Sequence, residues 1–116
     1  MAEFNERRKL PRIEARLPVT IFSKKGLVRG ETRNITTTGA YILCSEQLQQ
    51  DEIYRMRITF AKGSLTIDAQ MMWASPESKD KGPFSRGAGV FFAKINREDL
   101  KRLADMIGAK DHSGVH

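Results

Sequence analysis

The sequence has little that would anchor it in a membrane or cross-link it. Cys44 is the only cysteine, which excludes an intramolecular disulfide and a zinc site with four cysteine ligands. No apolar run approaches the ~20 residues of a membrane-spanning helix, and no secretory signal precedes the first apolar segment. Motifs of the GxSxG, P-loop and HExxH types are absent. We therefore expect a cytoplasmic protein without a membrane span, a structural metal, a cofactor or enzymatic activity.

The composition is that of one globular domain with an uneven charge distribution. The chain has 116 residues, of which 40% are hydrophobic and 29% are charged, and its formal net charge is +6. Residues 1–33 contain nine lysines and arginines against four glutamates, whereas residues 34–116 contain eleven cationic and ten anionic side chains. This asymmetry predicts a flexible basic arm over residues 1–16 that meets an anion such as a nucleotide, a nucleic acid or an acidic lipid.

Short β-strands dominate the remainder of the chain. Apolar side chains occupy every second position from Tyr54 to Phe60 and again from Leu65 to Trp73, and Lys62-Gly63 supplies the turn between them. In this pattern Trp73 belongs to the buried phase, and stacking on a ligand is the alternative. Cys44 ends a short apolar segment and is expected to be a buried, inert thiol. The six predicted strands are 17–22, 27–35, 40–44, 54–60, 65–73 and 85–92.

A single helix follows the last strand. Asn96 is a natural N-cap, Gly108 is a natural C-terminal stop, and Leu100, Leu103 and Ile107 share one face. The fold class is therefore mainly β, and we predict a six-stranded antiparallel β-barrel with a C-terminal α-helix over residues 17–110. Residues 111–116 are predicted to be a disordered tail.

Two arginines four residues apart stand out in the basic arm. Arg8 and Arg12 flank Pro11, which disfavours helical geometry at the residue before it, so both side chains are expected to project from an extended segment. A guanidinium group can bond guanine O6 and N7 together, pair with phosphate oxygens or stack on a base. The structural alternative is a pair of surface salt bridges to Glu6 and Glu14.

The segment from Asn34 to Gly39 is a second candidate site. Asn and Thr side chains bond readily to nearby backbone, and glycine accepts unusual backbone angles, so the segment predicts a β-turn. Its amide and hydroxyl groups also offer hydrogen bonds to a ligand at a loop edge.

Taken together, these motifs resemble the PilZ domain family. The family pairs RxxxR with [D/N]xSxxG, here Arg8 with Arg12 and Asn34 with Thr36 and Gly39, followed by Trp73 and a short C-terminal helix. The resemblance implies a six-stranded barrel that binds the bacterial second messenger cyclic di-GMP. It further implies that Arg8 and Arg12 grip guanine and phosphate, with Arg7 assisting, and that Asn34, Thr36 and Gly39 contact the other side of the nucleotide. Thr36 departs from the usual serine but keeps the hydroxyl.

This resemblance implies a receptor without catalytic activity. Cyclic di-GMP is expected to order the arm against the Asn34 to Gly39 loop and so expose a surface for an unidentified effector protein. One alternative is a small basic barrel that binds RNA or single-stranded DNA, for which the buried phase of Trp73 is unfavourable, so nucleic acid is not the expected partner. The other is a ligand-free protein-interaction module that kept the fold.

Overall fold

The described residues form a closed antiparallel barrel with one helix. The computed structural model describes residues 13–75 and 84–115. The strands close in the order β1-β2-β3-β6-β5-β4, which confirms the predicted fold class. Their bounds are β1 Pro18–Ser23, β2 Gly26–Ile35, β3 Gly39–Cys44, β4 Ile53–Phe60, β5 Gly63–Ser75 and β6 Arg86–Ile95, and helix α1 spans Arg97–Val115.

Two of the hairpins are connected by turns that contain glycine. Gly26 between β1 and β2 and Gly63 between β4 and β5 have φ values of 130° and 146°, a region that residues with a Cβ atom rarely adopt. Closure of the sheet leaves every described strand paired on both sides, which removes free edges.

Alternating apolar side chains fill the barrel. The largest fully buried ones come from strands β1 to β5 and from the helix, and Cys44 is among them. Burial raises the pKa of the Cys44 thiol to about 12, so the thiol stays protonated near neutral pH. The inward residues of β4 and β5 follow the predicted period of two: Tyr54, Met56, Ile58, Leu65, Ile67, Ala69 and Met71.

The first two turns of helix α1 attach it to the barrel. Asn96 Oδ1 accepts a hydrogen bond from the Asp99 amide at 2.8 Å, which confirms the predicted cap. Asp99 Oδ2 accepts from the Thr66 amide at 3.3 Å, and Arg102 Nη1 donates to the Ser64 carbonyl at 3.0 Å. These contacts hold the helix against β5.

Two details of the predicted helix are wrong. Leu103 and Ile107 join the barrel core, but Leu100 remains 39% exposed because the contacts of Asp99 and Arg102 turn it away from β5. The helix also continues past Gly108 to Val115 and includes residues 111–115, which the sequence analysis assigned to a disordered tail. Gly108 does not adopt the positive φ of a glycine C-cap, so it does not stop the helix.

Residues 13–17 extend β1 backwards along β2, and we call this segment the strap. Ile13 and Ile35 exchange two backbone hydrogen bonds of 3.0 Å, and the Ile13 side chain is buried. Residues 13–16 were predicted to belong to the flexible arm. The structure instead places them against the barrel because Ile13 adds apolar surface to its core.

Candidate functional site

A row of four residues crosses the outside of the barrel on adjacent strands. Asn34 of β2 pairs with Tyr41 of β3, Tyr41 pairs with Gly89 of β6, and Gly89 pairs with Trp73 of β5. We call this row, together with the Thr36 to Gly39 turn beside it, the ligand wall.

A β-bulge brings Asn34 onto the wall. The register between β2 and β3 shifts between Thr32 and Asn34, so Arg33 is the extra residue. Because of this shift, Thr32 and Ile35 both face the core and Asn34 lies between them on the outer side. The side-chain amide of Asn34 makes no hydrogen bond to another described residue and is available to a ligand.

A second bulge brings Trp73 onto the wall and corrects the sequence interpretation. The register between β5 and β6 shifts between Met71 and Trp73, so Met72 is the extra residue and the alternation reverses after it. Met71 is buried, as the period of two predicts, but Trp73 is 52% exposed instead of packed in the core. The exposed position of Trp73 is therefore compatible with the alternative interpretation, in which its ring stacks on a ligand.

Tyr41 and Trp73 form an aromatic platform. Their ring centroids are 5.4 Å apart at an interplanar angle of 17°. The two residues lie two strands apart, a backbone separation of ~10 Å, and their rings meet because Gly89 between them has no side chain. A Cβ atom on Gly89 would overlap the Trp73 indole ring. Glycine at position 89 is thus a condition for the platform.

The Thr36 to Gly39 turn is shaped by its own hydroxyl. Thr36 Oγ1 accepts hydrogen bonds from the amides of Thr38 and Gly39, both at 3.1 Å, and the Thr36 amide donates to the Gly39 carbonyl at 2.8 Å. A Cβ atom on Gly39 would overlap the Val90 carbonyl of β6, so this position requires glycine. The segment forms a turn, as the sequence predicts, and this turn holds Thr36 and Gly39 beside the platform.

Two shallow cavities flank the row. One, of about 260 Å³, is lined by the turn and the platform together with Phe91, which is 47% exposed. None of its lining residues is charged. The other, of about 540 Å³, lies on the far side of Asn34 and Tyr41 and is lined by the strap residues Glu14 and Arg16 and by Arg33.

The charged side chains beside the larger cavity largely neutralise one another. Glu31 lies 3.6 Å from Arg33 Nε and 3.8 Å from Arg16 Nη1, so one carboxylate attracts both guanidinium groups. With Glu14 also present, the described part of the site has little excess positive charge. Arg7, Arg8 and Arg12, the cations that the sequence analysis assigned to the site, lie outside the described residues.

Four residues of the site were not singled out from the sequence: Tyr41, Thr38, Gly89 and Phe91. Tyr41 stands between the small Ala40 and the buried Ile42, and the alternation of β3 could have placed it outside. Glycines within a strand often mark a position that a ligand or another part of the chain approaches closely. The segment Gly87-Ala88-Gly89 could have indicated this surface in the same way.

No group of three or more potential metal ligands occurs among the described side chains, those of residues 13–75 and 84–108. No helix in the described part of the chain is long and apolar enough to cross a membrane.

Solved structures share this fold at low sequence identity. The inhibitor of motility MotI/DgrA of Bacillus subtilis matches 92% of the chain with 19% identity and a TM-score of 0.74. The PilZ domain of YcgR from Escherichia coli, a structure with c-di-GMP, matches 93% of the chain with 15% identity and the same TM-score, over 94% of its own length. The PilZ domain of CeSA from a cellulose-synthesizing bacterium matches 87% with 19% identity and a TM-score of 0.60, over 98% of its length.

The chain spans about half of MotI/DgrA, 52% of its length. No curated protein sequence matches the chain. The PilZ domain family, in contrast, matches residues 6–109. This range includes both motifs, the whole barrel and most of α1. The chain therefore belongs to the PilZ domain family.

Proposed function

We propose that this chain is a cytoplasmic receptor for cyclic di-GMP and not an enzyme. The observation that carries the proposal is the ligand wall, where a free amide, a hydroxyl turn and an uncharged aromatic platform lie side by side. Such a surface fits a planar base, which stacks on aromatic rings and takes hydrogen bonds at its edge. The c-di-GMP in the structure of the YcgR PilZ domain supports the choice of this ligand.

The arginines of the arm complete the proposed site. Arg8 and Arg12, with Arg7 assisting, would contact guanine and phosphate, while Asn34, Thr36 and Gly39 contact the nucleotide from the wall and Trp73 stacks on a base. Ile13 lies beside Ile35 through the two backbone hydrogen bonds of the strap. Arg12 directly precedes Ile13 in the sequence, which supports an arm that can reach the turn it would cover.

The output we propose is a surface for an effector protein. Ligand binding would bring the arm against the wall and present a face made of the arm, the barrel and helix α1. The exposed Leu100 side chain on the helix supports α1 as part of that face.

A titration followed by NMR tests the proposal. We expect cyclic di-GMP to shift the amide resonances of Asn34, Thr36, Gly39 and Tyr41, the Trp73 indole resonance and those of the arm. Guanosine monophosphate at equal concentration is the control, and it should bind more weakly because it provides one base and one phosphate. Shifts confined to the end of α1, or no shifts at all, would contradict the proposal.

Single-stranded nucleic acid is a second candidate, and the exposure of Trp73 and Phe91 on adjacent strands favours it. A salt series separates the two, because binding to many phosphates weakens steeply with ionic strength. We expect cyclic di-GMP to displace a mixed-sequence oligonucleotide and to keep most of its own affinity at higher salt. An oligonucleotide that binds more tightly than cyclic di-GMP at physiological salt would favour the second candidate.

Removal of the Thr36 hydroxyl is expected to weaken cyclic di-GMP binding modestly. Thr36→Ala deletes the acceptor for the Thr38 and Gly39 amides and should cost about 0.5–1.5 kcal/mol of binding free energy, the net value of a neutral hydrogen bond. Asn34→Ala should cost a similar amount, because it removes the free amide. Isothermal titration calorimetry measures both.

Thr36→Ser is the matched control, since it keeps the hydroxyl and removes only the methyl group. It should bind at least as tightly as the wild type. A loss with serine as large as the loss with alanine would show that the hydroxyl is not what the ligand needs.

A further inference from the structure

A turn between β3 and β4 contacts the bulge of β5, and we call its residues 49–52 the clip. The Asp51 amide donates a hydrogen bond to the carbonyl of the buried Met71 at 2.8 Å, and the Met71 amide donates to the Glu52 carbonyl at 2.9 Å. Asp51 has a φ of 67°, in the left-handed region that aspartate adopts more readily than most residues. The clip is thus a sharp turn whose backbone pairs with the first residue of the bulge.

The clip also binds the carbonyl of Met72, the extra residue of the bulge. The pairing of β4 with β5 ends at Ile53 and Gln70, so β4 offers Met72 no partner in the ladder. The register shift leaves Met72 without a partner residue on β6 as well. The side-chain amide of Gln50 donates a hydrogen bond to this carbonyl and takes the place of the missing strand.

The peptide unit of that carbonyl leads directly into Trp73. The Met72 carbonyl and the Trp73 nitrogen belong to one planar group, so a hydrogen bond to the carbonyl fixes the orientation in which the chain enters Trp73. The Trp73 side chain is 52% exposed, so packing in the barrel core does not set its direction. Its direction is set by the backbone of the bulge and by the stacked ring of Tyr41.

We infer that Gln50 is a positioning residue for Trp73: its hydrogen bond to the Met72 carbonyl fixes the bulge that presents the indole ring to Tyr41 and to a base of the ligand. This inference rests on the proposed function. A base that stacks on a ring already held in place does not have to order that ring, so less conformational freedom is lost on binding. Gln50 does not line the cavity over the platform, so it acts through the backbone of β5.

Gln50→Glu tests this role because it keeps the shape of the side chain and replaces the donor with an oxygen that repels the carbonyl. In the free protein, we expect the fluorescence emission of Trp73, the only tryptophan, to move to longer wavelength as the indole becomes more exposed to water. The near-ultraviolet circular dichroism of the stacked Tyr41 and Trp73 rings should decrease. The dissociation constant for cyclic di-GMP should rise about fivefold, the equivalent of about 1 kcal/mol and within the net value of one neutral hydrogen bond.

Gln47→Glu is the matched control. It makes the same change of charge at an exposed position before the clip, where the side chain makes no hydrogen bond to another described residue. It should leave both the Trp73 spectra and the affinity unchanged. Gln50→Ala removes the donor without adding a charge and should change the spectra and the affinity in the same direction as Gln50→Glu. In the Trp73→Ala background, Gln50→Glu should change the affinity little, because the ring that Gln50 positions is gone.

The outcomes separate the inference from the function on which it rests. Altered Trp73 spectra, with a loss of affinity that disappears in the Trp73→Ala background, support positioning by Gln50. Unchanged spectra in both Gln50 variants, or equal losses of affinity with and without Trp73, overturn the inference and leave the receptor function standing. If the wild-type chain does not bind cyclic di-GMP, both the function and the inference are overturned.

Discussion

Replacing Arg8 or Arg12 with alanine is expected to reduce cyclic di-GMP affinity by about 1–3 kcal/mol each, the value of a bidentate arginine contact to guanine. The described wall explains why the loss should be this large. The cavity over the platform has no charged lining residue, and Arg16 and Arg33 share Glu31. The two negative charges of the ligand must therefore be balanced mainly by the arm.

Calorimetry on variants with unchanged thermal unfolding measures this effect. Arg29→Ala is the matched control, because it removes the same charge from an exposed position on β2, away from the wall. Arg12→Lys keeps the charge but loses the planar fork, so it should fall between the wild type and alanine. If both alanine variants bind as tightly as Arg29→Ala, the arm is not part of the site.

The strands could be predicted from the sequence because their signal is local. The alternation from Tyr54 to Phe60 and from Leu65 to Met71 needs no knowledge of the partner strand, and each of these segments forms a strand with the expected inward face. The turn glycines Gly26 and Gly63 carry a similarly local signal.

The outward position of Trp73 could not be predicted in this way. A bulge depends on how two strands pair, and the extra residue Met72 is apolar like its neighbours, so nothing in β5 alone marks the reversal of phase. The bulge at Arg33 has the same effect on Asn34. These two breaks in the alternation bring Asn34 and Trp73 out to the ligand wall, and sequence rules are expected to fail at such candidate functional positions.

The packing of the strap against the barrel could not be predicted from the sequence for a different reason. Charge alone favours a flexible arm from residue 1 to residue 16, and the sequence offers Ile13 as its single strong apolar residue between Pro11 and Leu17. The position of Ile13 depends on Thr32 and Ile35, about twenty residues away, which only the closed barrel brings alongside. Long-range pairing of this kind leaves no periodic pattern.

Removal of the Trp73 side chain is expected to cost about 1–3 kcal/mol of cyclic di-GMP binding, the range for stacking of one base on an aromatic residue. Trp73 is the only tryptophan and is 52% exposed, so its fluorescence reports the site directly, and stacking of a guanine on the indole should quench it. Titration of the wild type by fluorescence and of Trp73→Ala by calorimetry measures the two effects independently.

Two variants distinguish stacking from a general change in the barrel. Trp73→Phe keeps an aromatic ring over Gly89 and should retain most of the affinity. Gly89→Ala leaves the indole in the sequence but places a methyl group where the ring now lies, so it should displace Trp73 and weaken binding nearly as much as Trp73→Ala. Full affinity in both Gly89→Ala and Trp73→Ala would mean that the ligand does not use the platform, and the base would then have to bind on the other side of Asn34, against Arg16 and Arg33.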